Sequence, residues 1–173
     1  MSRRDRRPDR ATEPQAYTDY LRERIYATFT GLAIVLVVGN ADHADPRHGF
    51  FALVLGVVGI VVAGLVSDVV AHLMMHQSLP SRTEARTLAA IAGGGLSTVV
   101  APGILMLLAL LEVMDFDAAL RAAAIVYVVT LAVIGWLAVR RSNLSGGLRL
   151  VVLGILVGLG FAVIGLQILA KSV

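Results

Sequence analysis

Asp68, His72 and His76 stand at i, i+4 and i+8 in the segment Ser67-Asp68-Val69-Val70-Ala71-His72-Leu73-Met74-Met75-His76. At about 100° per residue they share one face of a helix, with Met75 beside them. Carboxylate, imidazole and thioether groups all ligate metals, and the first two also carry protons. Asp and His suit first-row divalent ions such as iron, manganese or zinc, and Met75 would add a soft ligand. In an apolar chain such a ladder marks a route for a cation or a proton: Asp68 and His72 as gate ligands, His76 as a relay to the aqueous side. The competing account is an Asp hydrogen-bonded to a neighbouring helix and two solvated histidines at a helix end, where a basic group suits the helix dipole. Asp42, His43, Asp45 and His48 form a second group with the same donor types. They lie in a turn-rich polar stretch, and a solvated loop explains them more simply than a cation cluster does.

The elements that must position these groups are membrane spans. Of the 173 residues 57% are hydrophobic and 16% charged, with a mean hydropathy of +0.80. Apolar runs of about 20 residues, enough to cross a bilayer, recur along the chain. Residues 1–16 are rich in Arg and have little to bury, so they read as a disordered basic tail. Tyr17, Tyr20 and Leu21 then alternate with charges as an amphipathic lead-in at the interface. Spans are expected at about 22–39, 50–75, 87–113, 118–139 and 148–170, giving an all-α, five-helix membrane domain with no soluble unit between spans. Pro102-Gly103 predicts a kink in the third span. Gly59, Ala63, Ser67 and Ala71 form a small-residue stripe on the second, Gly93, Ser97 and Ala101 on the third, and Gly154, Gly158 and Ala162 on the fifth; each permits close helix approach.

Charge placement orients the domain. Seven of the fifteen basic residues fall in the first 24 positions. With the N terminus in the cytoplasm, Arg82, Arg86, Arg140, Arg141 and Arg149 join them, and only Arg47, Arg121 and Lys171 lie outside. That asymmetry predicts N-in, C-out. It also accounts for the net charge of +3 without nucleic acid; the lipid bilayer is the partner. Under this topology Asp68 lies roughly 10 Å below the cytoplasmic boundary at 1.5 Å per residue. An unpaired carboxylate there costs about 1–3 kcal/mol, so it should face protein, a cation or water.

The chain contains no Cys, so disulfides and thiolate metal sites are excluded. It has no nucleophile with its base and no HExxH, and Gly93-Gly94-Gly95 lies inside a helix rather than after a strand. No enzymatic activity and no resident cofactor are expected.

Three groups of residues carry a family resemblance. Span 2 reads Ala63-Gly64-Leu65-Val66-Ser67-Asp68-Val69-Val70-Ala71-His72-Leu73. Pro102 follows a glycine-rich run. Ile134-Gly135-Trp136-Leu137-Ala138-Val139-Arg140 precedes Gly147, Arg149, Gly154 and Gly165. Together with five spans and no internal repeat, this resembles the vacuolar iron transporter family over about residues 24–170. The family's span 2 reads approximately A-G-x-x-S-M-x-x-G-E-Y, and its span 3 carries G-x-x-x-P. The resemblance implies a homodimer that exchanges Fe²⁺ or Mn²⁺ for protons, with Asp68 and His72 in the places of the family's Met and Glu. Two departures stand out. Phe29-Thr30-Gly31 occupies the place of the N-D-G motif that supplies a transport carboxylate. Ser78 to Arg86 is all that stands where many members insert an acidic metal-binding domain. The expected function is divalent metal transport with proton exchange; the alternative is a non-transporting membrane scaffold or regulatory subunit. The Ala/Arg/Gly/Val-rich composition suggests a bacterial inner membrane.

Overall fold

The computed structural model describes residues 12–41 and 45–141, together with Gly147, Val151 and Gly154. Within them the chain is helical: α1 (Thr12–Gly39), α2 (Pro46–His76), α3 (Arg82–Leu96), a 3₁₀ turn (Ser97–Val99), α4 (Val100–Leu110) and α5 (Phe116–Arg141). Three helical stretches, Pro46–His76, Arg82–Leu110 and Phe116–Leu137, are long and apolar enough to cross a membrane. Only 22%, 33% and 28% of their most apolar windows are buried inside the protein. Phe51, Leu55, Val62, Val66 and Val70 on α2 all face outward. So much outward apolar surface requires lipid or another apolar partner.

Helix α1 is the centre of the arrangement, touching α2, α3 and α5. It buries Ala27, Leu32, Val35 and Val38 at helical spacing. Against these pack Leu53, Val57 and Val61 of α2, Met106 and Ala109 of α4, and Ala119, Ala123 and Tyr127 of α5. Small residues set the closest approaches. A side chain at Gly31 would strike the Tyr127 ring, and one at Gly94 the Tyr20 ring.

Several expected boundaries shift. Residues 12–16, read as part of a disordered tail, begin α1, so they, the lead-in and the stretch expected as the first span form one continuous helix, which is not among the three that are long and apolar enough to cross a membrane. The polar loop expected over 40–49 is shorter, because α2 starts at Pro46: Asp45 caps it by accepting from the Arg47 N–H at 3.3 Å, and proline at a helix start sacrifices no hydrogen bond. The stretch Arg82–Leu110 is helical throughout but carries a 3₁₀ turn near the expected kink. The Pro102 ring lacks an N–H and crowds the carbonyl of residue 98, and the chain tightens into the 3₁₀ turn at that level. The Ser97 and Thr98 hydroxyls donate to the Gly94 and Gly95 carbonyls, each at 2.7 Å. The chain then turns through Glu112, at φ 58°, and Asp115 caps α5 by accepting from the Ala118 N–H at 3.0 Å. The fifth span expected at 148–170 lies outside the described residues, save Val151 and Gly154.

Candidate ion site

The buried row of α2 is Gly49, Leu53, Val57 and Val61. Asp68 and His72 lie seven and eleven positions beyond Val61, which places them within about 20° of it around the helix. They therefore prolong the core-facing side of α2 towards the end where α1 begins and α3 starts. Asp68 and His72 are half-buried, and His76 is exposed.

Each rung has a neighbour from another helix. The Asp68 Oδ1 is 4.0 Å from Arg22 Nη2, and the same guanidinium nitrogen is 3.3 Å from Asp19 Oδ1. Half-exposed pairs of this length contribute about 0–1 kcal/mol. The His72 Nε2 is 4.0 Å from Glu84 Oε2, and its ring centroid is 4.6 Å from that of His76. Glu84 is fixed by local structure: Ser81 caps α3 by accepting from the Glu84 N–H at 3.4 Å, and Glu84 Oε2 accepts from the Ser81 N–H at 2.7 Å. This capping box aims a carboxylate back at His72. Gln77, in left-handed conformation at φ 51°, ends α2 with its N–H on the Leu73 carbonyl, which lets α3 fold back.

The other candidates do not join the ladder. Met75, expected beside it, is 80% exposed at the overhanging last turn of α2. Asp45 is committed to its cap, and His48 sits exposed in the first turn of α2 at the opposite end of that helix. Asp42 and His43 lie outside the described residues. Among the described residues, no three His, Asp or Glu side chains converge closely enough to hold a metal ion.

One acidic residue absent from the sequence reading belongs to this end of the molecule. Glu23, on α1, is only 9% exposed, and its Oε1 has no hydrogen-bond partner among the described residues. A side chain at Gly64 of α2 would lie 2.9 Å from Glu23 Oε2, and one at Gly95 of α3 3.2 Å from its Cγ. The carboxylate thus rests where α1, α2 and α3 cross. Sequence reasoning passed over it because Arg22 and Arg24 flank it as in any solvated charged turn; the glycines that admit it are distant in sequence. Arg24 turns elsewhere, its Nη1 donating to the Tyr20 hydroxyl at 3.2 Å. Thr28 donates to the Arg24 carbonyl at 2.6 Å, the within-helix bond expected of a buried threonine. A separate cavity of about 470 Å³ lies between α1 and α5, lined by Tyr17, Tyr20, Arg24 and Thr130 among others; none of its described lining residues belongs to α2 or α3.

Compared with protein-family models, curated proteins and solved structures, the chain finds no match.

Proposed function

We propose that this membrane protein transports a divalent cation of the Fe²⁺/Mn²⁺ class, with proton exchange, as a homodimer in a bacterial inner membrane. The observation that carries the reading is the direction of the ladder: Asp68 and His72 project from the core-facing side of α2 towards α1 and α3, not from its lipid-facing side. Ionisable groups kept inside a helical membrane domain mark ion or proton pathways more often than structural pairs. Asp68 and His72 are the proposed gate ligands, and His76 the relay at the exposed end. The Fe²⁺/Mn²⁺ choice rests on the resemblance to vacuolar iron transporters and on the mixed carboxylate–imidazole donor set.

The test is metal flux into proteoliposomes holding the full chain, with and without a pH gradient. Asp68→Asn and His72→Ala are each expected to abolish flux while leaving the protein folded. Wild-type-like flux in the double variant would sink the assignment of this site. A second reading, a scaffold or regulatory subunit, is favoured by one specific observation: Arg22 and Glu84 already neighbour both rungs. Under that reading no cation moves, and Asp68→Asn is neutral or slightly stabilising because a half-buried charge is removed.

A further inference from the structure

Glu23 is the most deeply buried acid among the described residues, and nothing in the ladder requires it. Its burial has a specific cause. Gly64 and Gly95 present bare backbone where any side chain would meet the Glu23 carboxyl or its methylene. Gly64 and Asp68 are four residues apart on α2, about 6 Å along the axis, so the carboxylate resting on Gly64 has that of Asp68 as its neighbour one turn away. The two groups are close enough to act on one another electrostatically. A third carboxylate, Asp19, is one turn before Glu23 on α1. The cationic group between them is Arg22, which is half-exposed and 4.0 Å from Asp68; Arg24 is engaged with Tyr20. One buried carboxylate oxygen, Glu23 Oε1, has no donor among the described residues. A carboxyl buried in this way takes a partner ion, a metal or a proton.

We propose that Glu23 and Asp68, from two different helices, form a binding site for a hard, oxygen-preferring divalent cation that keeps part of its water shell. Two carboxylates with retained water are a sufficient ligand set for such an ion, whereas an ion of the zinc type draws on nitrogen or sulfur donors. This rests on the reading that the protein handles cations and deepens it, by assigning α1 a ligand and by naming the preferred ion chemistry. The site spans α1 and α2, so an ion in it would tie the two helices together, and Gly64 acts as a positioning residue for the Glu23 carboxylate.

Binding is separable from transport and is tested apart from it. The full chain in detergent is titrated with Mn²⁺, and free Mn²⁺ is followed by its paramagnetic resonance signal. Wild type is expected to bind, and Glu23→Gln, which keeps size and shape, to weaken binding by about tenfold or more, the scale lost when a group supporting a metal site is removed. Gly64→Ala, which leaves both carboxylates but displaces one, should weaken it as well, while Arg121→Gln at the opposite end of the bundle should not. Mg²⁺ should compete better than Zn²⁺. Wild-type affinity in Glu23→Gln overturns the site, as does the absence of Mn²⁺ binding by wild type or preferential competition by Zn²⁺. If Glu23→Gln binds normally while Asp68→Asn abolishes flux, transport stands and this site falls. If binding depends on Glu23 but no flux is found, the site stands and transport falls.

Discussion

Tyr127 brings a hydroxyl into the core: the side chain is 1% exposed and the oxygen has no hydrogen-bond partner among the described residues. Its ring lies against Gly31, where a methyl group would collide with the phenol end. An unpaired buried hydroxyl costs about 1–3 kcal/mol. Tyr127→Phe should therefore be neutral or stabilise by up to about 1 kcal/mol, once the small void left behind is counted. Thermal unfolding in detergent checks this; a loss beyond about 1 kcal/mol would mean that the hydroxyl has a partner in the assembled protein. The same accounting at Glu23 carries a larger cost, because a carboxylate is far costlier to bury than a phenol unless it is paired or neutralised. This difference also explains how much of the site was legible in the sequence. Asp68 and His72 were readable because their i, i+4 spacing is a property of one helix. Glu23 was not, because its burial is made by Gly64 and Gly95, residues of two other helices. Met75 shares the angular position of the ladder, but its exposure at the last turn of α2 depends on where the neighbouring helices end, which one helix's spacing does not show.

Elements were readable where a single residue dictates the backbone. Pro102 removes a donor and crowds the carbonyl four residues back wherever it stands in a helix, and the 3₁₀ turn Ser97–Val99 occurs at that level. The sequence did not show that the kink would take the form of a 3₁₀ turn within one helical run. The Ser97 and Thr98 hydroxyls donate to the Gly94 and Gly95 carbonyls within the same turn. Pro102→Ala restores the missing N–H and should convert the turn to regular α-helix. Hydrogen–deuterium exchange of the full chain in detergent should then slow across residues 97–103, with a local gain bounded by the ~3 kcal/mol penalty of proline in a helix interior. Because Pro102 is fully buried, loss of ring contacts offsets part of that gain. Exchange as fast as in wild type would show that the break is imposed by tertiary packing and not by the proline. The start of α1 was misread for the converse reason. Residues 12–16 contain no helix-forbidding feature beyond Pro14 in the first turn, a position where proline is tolerated.

At the scale of the whole molecule, the small-residue stripe on α2 separates intramolecular from intermolecular packing. Gly59 and Ala63 each lie two positions beyond a buried residue, Val57 and Val61, and so point about 200° away from the protomer core. Gly59, Ala63, Ser67 and Ala71 are all exposed, and among the described residues nothing would meet a side chain placed at Gly59. The glycines that admit close contacts within the protomer, Gly31, Gly49, Gly56, Gly64, Gly94 and Gly95, are a different set. A row of small residues on the open face of an apolar helix lets a second backbone approach closely in lipid, where packing replaces the hydrophobic effect as the driving force. On that argument we propose α2 of a second copy as the partner of this face. The ladder would then stand on the flank of the dimer seam, since Asp68 is one residue from Ser67 and about 100° around the helix from it. Ala63→Leu adds bulk on the open face without touching the core, so it should leave the monomer's helicity and thermal midpoint nearly unchanged and shift the protein from dimer to monomer, as read by light scattering in mild detergent and by crosslinking in lipid. Gly64→Leu, one position away, faces Glu23 and should instead unfold the protomer by overpacking. A dimer that survives Ala63→Leu, or a wild type that is monomeric in both detergent and lipid, would remove α2 as the seam and with it any pathway shared between two subunits.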